Sequence, residues 1–482
     1  MDGKVLFIIH DVYQNDNYFP SGIGYLAACL QANGYSVSVY CQDIFHNTND
    51  ELAGFLKTEN FDIIGLGFLA ARFKETVVDL CRVINANKKD AWFVLGGHGP
   101  SAIPEYVLKT TLADFVVIGE GEETIIDLMR CKVNNGDISG IQGIAYRQGN
   151  SILVNERRKP IRKLDTIPFP AWSLFPMEEY TTCLKFYGMT PDEKSLPIIT
   201  SRGCTNRCNF CYRLEKGIRF RSIPNVIDEI KILNEQYGVS FFAMNDELFL
   251  FSKKRLFEFK DALDQNSLKI KYECQARVDI FDDEMAQCMK DSGCTFVNFG
   301  MESADQNVLD HMNKRTTVKQ NTDAAKIARK HDIAYGLNIL WGNIGDTEKS
   351  LKDDVQLIKE YNVYSQLRTI KPPTPYPGCD LYYEAINRGL LTGPDDFFNK
   401  FKNIDLLLVN FTDIPENQFY KLLFEANKEL ILDHFEKTNG DKKDAEQIIT
   451  TFYNLYFKGD VSFRGARHYD KIVKPEDMTP ER

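Results

Sequence analysis

Three cysteines stand close together near the middle of this 482-residue chain, in the run Cys204-Thr205-Asn206-Arg207-Cys208-Asn209-Phe210-Cys211, spaced C-x3-C-x2-C. Thiolates are soft metal ligands, and this spacing supplies three of them with no fourth. A four-iron cluster held there would keep one iron open to a small molecule. A structural zinc site would need a further ligand, usually from a second Cys or His pair, and no C-x2-C or H-x3-H partner occurs elsewhere in the chain. A redox pair built from Cys208 and Cys211 would leave Cys204 without a role, in a fold unlike thioredoxin. The bland alternative is three unliganded thiols. Against it stands the position of the loop, directly after the apolar run Pro197-Ile198-Ile199-Thr200, where a barrel strand would end and active sites sit.

The elements that must position this loop follow from the pattern of apolar runs. Residues 1–135 alternate short β-rich runs (5–9, 36–40, 63–67, 92–95, 115–118) with helical stretches, which predicts five parallel strands in a doubly wound, Rossmann-like sheet. The ligand edge of such a sheet lies at the strand C-termini. That edge is rich in small residues: Ser21-Gly22, Gly67, Gly96-Gly97-His98-Gly99 and Gly119-Glu120-Gly121. Residues 136–190 read as a hairpin around Gln148-Gly149-Asn150, followed by a proline-rich linker and a domain boundary. From 191 to 391 the βα alternation resumes, with strands expected at 197–201, 240–244, 269–275, 295–300, 334–340 and 365–370. Six such units predict a partial (β/α)6 TIM-type barrel with its site at the C-terminal face. Residues 392–482 read as a small helical region, with helices near 419–435 and 444–456.

Composition narrows the class of function. With 43% hydrophobic and 26% charged residues and a net charge of −10, the chain reads as globular and acidic, which disfavours a nucleic-acid backbone as main partner. A small-molecule substrate fits better. The start has no signal-peptide pattern and no segment is apolar enough for a membrane span, so a cytoplasmic location is expected. Twelve cysteines in a cytosolic chain are thiols or metal ligands before they are a disulfide framework.

The segment Thr200-Ser201-Arg202-Gly203-Cys204 through Cys211 closely resembles the cluster loop of the radical S-adenosylmethionine (SAM) superfamily. The resemblance implies a [4Fe–4S] cluster on Cys204, Cys208 and Cys211, SAM chelating the open iron, and reductive cleavage to a 5′-deoxyadenosyl radical. It also implies a SAM shell. Phe210 is placed like the family's adenine-packing aromatic, with Tyr212 just beyond the last cysteine. Arg277, in Gln275-Ala276-Arg277, looks like the basic residue facing the SAM carboxylate. Glu302 and Ser303 match a segment whose carboxylate bonds the ribose, and Gly342 lies in an adenine-side glycine turn. Where many members carry Gly-Gly-Glu, this chain has Met244-Asn245-Asp246-Glu247, and Asp246 or Glu247 would accept the SAM amino group.

A doubly wound domain ahead of such a barrel is similar to the cobalamin-binding subfamily, which includes the anaerobic magnesium-protoporphyrin cyclase. That resemblance implies cobalamin at the ligand edge, near Ser21, Gly22, Gly67, Gly96, Gly97, His98, Gly119, Glu120 and Gly121. No Asp-x-His-x-x-Gly occurs in the chain to supply a histidine below the cobalt. The implied activity is methyl transfer through methylcobalamin to an unactivated carbon of a small molecule or natural product, with flavodoxin or ferredoxin as electron donor. An oxidative cyclase or rearrangement enzyme of the same architecture is the alternative. A tRNA methylthiotransferase would require three further converging cysteines in the first domain. A scaffold that has lost turnover would not need an intact cysteine loop.

Overall fold

The structure, a computed structural model, describes residues 3–11, 17–69 and 73–461. Its first sheet has seven strands. Five are parallel, Lys4–Ile9, Ser36–Cys41, Ile63–Gly67, Trp92–Gly96 and Phe115–Val117, in the spatial order second, first, third, fourth, fifth. The order reverses between the first and third strands, so the crevice above their C-terminal ends is the topological switch point where ligands bind in doubly wound sheets. The strands are near-continuous apolar runs because helices cover both faces; Ser21–Ala32 packs beside Glu122–Asn134 on one of them.

The hairpin expected in the linker belongs instead to this sheet. Ile144–Gln148 pairs antiparallel with Phe115–Val117, and Ser151–Val154 extends the edge. Gly143, at φ +74°, turns the chain back so that this pairing forms.

The second sheet has five parallel strands, Lys194–Ile198, Val239–Met244, Lys271–Ala276, Cys294–Glu302 and Ala334–Ile339, in chain order. Alternation divides it cleanly. Tyr272, Cys274, Ala276, Val297, Phe299, Tyr335 and Leu337 face the helices and join the main core. Asn298, Gly300, Gly336 and Asn338 face the other way, into the lumen.

The sixth expected strand, 365–370, does not form. Its backbone meets the sheet at a bridge between Leu340 and Lys371, with Trp341 N–H donating to the Lys371 carbonyl at 2.9 Å, while the Arg368 guanidinium reaches in over the Phe296 ring at 5.5 Å. Its other side is taken by a side chain: Asn427 accepts from Ile370 N–H at 2.8 Å and donates to the Ile370 carbonyl at 3.0 Å. One carboxamide thus does locally what a neighbouring strand would do. Asn427 sits on Glu416–Lys437, which packs with Lys442–Lys458 against the open side of the barrel. The helical region expected after residue 391 is therefore the cover of the partial barrel. Ahead of it, Asp380–Asn387 and Pro394–Lys400 return to the first domain, where Phe398 packs on Phe73 at 4.6 Å and Lys74 pairs with Asp395 at 2.7 Å.

Candidate functional site

The cysteine loop leaves the first barrel strand through a turn that only glycine fits. Gly203 has φ +88°, and a Cβ there would lie 2.3 Å from the Gly217 carbonyl oxygen. Two-residue pairing of Ser201–Arg202 with Arg219–Phe220 closes the base of the loop. Its middle is fastened on three sides: Asn209 N–H donates to the Met312 carbonyl at 2.9 Å, Leu381 N–H donates to the Asn209 carbonyl at 2.8 Å, and Asn313 donates to the Arg207 carbonyl at 2.7 Å. Cys208 is buried, Cys204 partly so, and Cys211 is the most exposed of the three, in a recess dense enough with protein atoms to desolvate its thiol.

Cys208 and Cys211 lie within electrostatic reach of Cys204, of Lys314 and of Glu302. Desolvation raises the Cys208 thiol, and raises Cys211 to about 12 with the help of the Cys208 charge. Bare, these two are neutral thiols at pH 7, and binding of iron must release their protons. Among the described residues no three Cys, His, Asp or Glu side chains converge on one metal ion. A four-iron cluster does not ask for that, since each thiolate meets a different iron. A donor set of three cysteines on one loop, with buried cations beside it, fits such a cluster.

The strand ends around the loop sort the expected SAM residues into two groups. Arg277 grips Asp279 through two bonds of 2.9 Å, and donates a third to the Lys314 carbonyl, also at 2.9 Å. Burial alone would lower its pKa, but Asp279 outweighs this and raises it. Glu302 ends its strand in the left-handed region, φ +66°, just past a bulge. Its carboxylate folds over Gly300, where a Cβ would meet Glu302 Oε1 at 2.6 Å and Lys314 Nζ at 2.9 Å. Glu247 is raised by burial and accepts the Gly203 amide, placing its carboxylate beside the loop. Phe210 and Tyr212 pack against the hydrophobic cluster shared by the first domain and residues 379–411.

The other three are engaged elsewhere. Asp246 accepts from Thr200 N–H at 2.6 Å and Ser201 N–H at 3.0 Å, bracing the start of the loop, and its pKa is raised by full burial. Ser303 is fully buried against Asp354, at 3.3 Å. Gly342 gives its N–H to Asp346, and a Cβ there would press on the Phe419 ring at 2.8 Å, so the cover helix closes that turn.

Along the ridge of the first domain, Gly22 would have nothing within 4 Å of an added Cβ, Gly67 only the Gly96 carbonyl at 3.5 Å, and Gly96 only Val117 at 3.8 Å. These three leave the bare backbone surface that a flat ring with a nucleotide tail requires. Ser21 opens the Ser21–Ala32 helix at the same edge. Gly97 approaches the Phe68 backbone, and His98 meets the Tyr212 ring edge-on at 6.1 Å, its pKa lowered by desolvation. Gly119, Glu120 and Gly121 are different. Glu120 is bound by Arg202 at 3.0 Å and Arg219 at 2.8 Å, and a Cβ on Gly119 would meet Glu215 Oε1 at 2.8 Å, so this turn touches the barrel directly.

Sequence reasoning passed over Lys314, Arg202 and Arg219. For the two arginines the available signal was local charge: six of the twenty residues from Arg202 to Arg221 are basic in a chain that is acidic overall.

A parallel barrel carrying a three-thiolate loop, with a glycine-ridged doubly wound domain facing it, defines the class of enzymes that generate radicals from SAM beside a corrinoid. Comparison with known proteins agrees: the Radical SAM superfamily profile matches residues 198–358, and the B12 binding domain profile matches residues 14–129. An uncharacterised methyltransferase of Pyrococcus horikoshii is 30% identical over 433 residues, 86% of this chain and 90% of that protein. The anaerobic magnesium-protoporphyrin IX monomethyl ester cyclase of Rubrivivax gelatinosus is 28% identical over 401 residues, 79% of this chain and 70% of that one. Among solved structures, the radical SAM methyltransferase TsrM of Kitasatospora setae, with cobalamin and [4Fe–4S] cluster bound, superposes with a TM-score of 0.66 at 17% identity, over 82% of this chain and 76% of that one. The cobalamin-dependent radical enzyme OxsB gives 0.69 at 18% identity, over 94% and 75%. The chain belongs to the radical SAM superfamily, in the group with an amino-terminal B12-binding domain, and its cofactors are a [4Fe–4S] cluster, SAM and cobalamin.

Proposed function

We propose that this enzyme transfers a methyl group through its corrinoid to an unactivated carbon of a small molecule. When bound, the cluster and SAM supply a deoxyadenosyl radical and the corrinoid supplies the methyl carrier. The observation that carries the reading is the juxtaposition of the two halves: the cysteine loop stands against the ligand edge of the first domain, with Arg202 on Glu120 and Tyr212 on His98. A substrate carbon held in that cleft would have the radical source on one side and the methyl donor on the other.

In this reading Cys204, Cys208 and Cys211 hold three irons. Glu247 accepts the SAM amino group, Arg277 and Lys314 provide the positive field for its carboxylate, Glu302 accepts from the ribose, and Phe210 packs on adenine. Asp246, Ser303 and Gly342 shape the turns that present these groups. The first electron comes from a small electron-donor protein such as flavodoxin or ferredoxin, in the reducing cytoplasm. No helix among the described residues is long and apolar enough to cross a membrane.

Similarity to the cyclase supports a second reading, oxidative ring closure on the same framework. A methylthiotransferase is disfavoured because Cys29, Cys41 and Cys81 lie in three separate core clusters, facing away from any common point. Anaerobic reconstitution with iron, sulfide and hydroxocobalamin tests the assignment. About four irons and one cobalt per chain support it; about eight irons without cobalt overturn it. Transfer of label from methyl-labelled SAM to a product separates methylation from cyclisation.

A further inference from the structure

The turn Gly119-Glu120-Gly121-Glu122 leaves the fifth strand of the first sheet, yet its carboxylates point at the barrel. Glu120 receives Arg202 Nη1 at 3.0 Å and Arg219 Nη1 at 2.8 Å, while Glu122 receives Arg202 Nη2 at 2.6 Å. Glu120 and Glu122 side chains are only 7% and 8% exposed, Arg202 19%. The Arg202 guanidinium also lies over the Tyr25 ring of the first domain, 5.3 Å from its centre. Arg202 and Arg219 face each other across the ribbon that closes the base of the cysteine loop, and Arg202 is two residues ahead of Cys204.

The far side of the loop is held from the same direction. Arg157, in the connector, bonds Glu215 at 2.9 Å and the Leu214 carbonyl, and Gly119 is the residue whose missing side chain admits Glu215. The Ile161 carbonyl accepts from Arg219 at 2.7 Å, and Ile161 N–H donates to Glu120 at 2.8 Å. Both ends of the loop are therefore bracketed by one turn of the corrinoid domain and the strap behind it. The bonds of Glu120 and Glu122, nearly removed from water, fix geometry more firmly than the half-exposed Arg157 pair does.

We propose that Glu120 and Glu122 are positioning residues for the cluster loop: the Gly119–Glu122 turn sets where Cys204 stands relative to the corrinoid domain. The proposal rests on the cofactor assignment above for its function. Its physical basis, a carboxylate latch between the domains, does not.

The test uses the full chain with E120Q/E122Q, which keeps shape and removes charge, and R202K, which keeps charge and loses the fork that reaches both carboxylates. In the apo-protein, calorimetry should give one unfolding transition for wild type and two resolved transitions for E120Q/E122Q, with R202K between them. In the reconstituted protein, the EPR spectrum of the reduced cluster should change when hydroxocobalamin is added to wild type and stay unchanged in E120Q/E122Q at equal iron content. 5′-Deoxyadenosine formation in that variant should fall about tenfold or more, towards the roughly hundredfold that misplacement by an ångström can cost, and fall less in R202K. One unfolding transition, a wild-type EPR response and a wild-type rate in E120Q/E122Q would overturn the latch. A wild-type protein that binds no cobalt and makes no deoxyadenosine refutes the cofactor reading instead, while the calorimetric arm still decides the latch.

Discussion

Lys314 Nζ lies 2.7 Å from Glu302 Oε1, and the two side chains are only 8% and 9% exposed, which makes them a buried ion pair at the lip of the cysteine loop. Burial by itself would lower the lysine pKa; the Glu302 charge outweighs it and raises the group above 10.5. A raised folded-state pKa contributes stability that is complete below 10.5 and is lost only as pH rises beyond it, so the pair is constant across the neutral range.

The first prediction concerns that pair. K314M leaves Glu302 charged, buried and held at a positive φ, and should cost about 3–5 kcal/mol of stability. E302L/K314M removes both charges and should cost clearly less than K314M alone. Denaturant unfolding of the apo-proteins measures both. A single variant that costs under about 1 kcal/mol would show that the pair is hydrated, as exposed pairs are. SAM binding, followed by equilibrium dialysis, should weaken in K314M and in E302Q alike.

The second compares two glycines of left-handed φ in one loop. At Gly203 a Cβ would lie 2.3 Å from the Gly217 carbonyl, whereas at Gly217, φ +82°, it meets nothing within 4 Å. G217A should therefore cost only the conformational term of about 1–2 kcal/mol and keep the wild-type iron content. G203A must move the backbone next to Cys204, and iron bound after reconstitution should drop below half while far-UV circular dichroism stays unchanged. Equal iron in the two variants would contradict the close approach described for Gly203.

Much of this was legible in the sequence because it is written in local pattern. The cysteine spacing, five parallel strands of the first domain and five of the barrel come from residue type and period alone. What escaped depends on partners remote in sequence. The run 365–370 has the composition of a strand, but Asn427, 57 residues beyond Ile370, occupies its hydrogen-bonding groups. Glu120 sits among glycines at a ligand edge, and only the fold reveals Arg202 and Arg219 opposite it. Ser303 and Gly342 lie beside the expected SAM site in sequence, yet Asp354 and Phe419 reach them first. Lys314 is invisible as a site residue until the strand bearing Glu302 and the turn after His311 are brought together.

The clamp by Asn427 supports the third prediction. N427L keeps the branched skeleton of the side chain but leaves both Ile370 N–H and Ile370 C=O without their partner, and removes the bond to the Tyr456 hydroxyl at 3.1 Å. Unsatisfied buried groups cost about 1–3 kcal/mol each. Hydrogen exchange at residues 365–371 should accelerate by about a hundredfold, the factor that 2.7 kcal/mol of lost protection gives, with much smaller changes in the first sheet. Uniform acceleration across the chain would show that the cover helices are not a separate closing element.

The fourth concerns Asp43, buried beside the end of the second strand of the first sheet. Its Oδ2 accepts from the Tyr180 hydroxyl at 2.7 Å, and the backbone amides of Asp43 and Ile44 lie close enough to the carboxylate to favour its charged form. Desolvation is the largest influence and, against the Tyr180 bond, pushes the carboxyl from 3.8 up to about 6. For an acid raised in the folded state, the sign runs opposite to the usual carboxylate case. The folded protein holds the proton more tightly than the unfolded chain, so stability falls as pH rises from 3.8 towards 6, and the loss is complete above that. The full effect is about 3 kcal/mol. Asp43→Asn abolishes the titration while retaining an acceptor for Tyr180, and its unfolding free energy should lack this fall between pH 4 and 6.5. Subtracting the two pH profiles isolates the group from every other carboxylate. A difference profile that is flat, or that rises with pH, would mean Asp43 is charged in the folded protein at little cost and that its carboxylate reaches water.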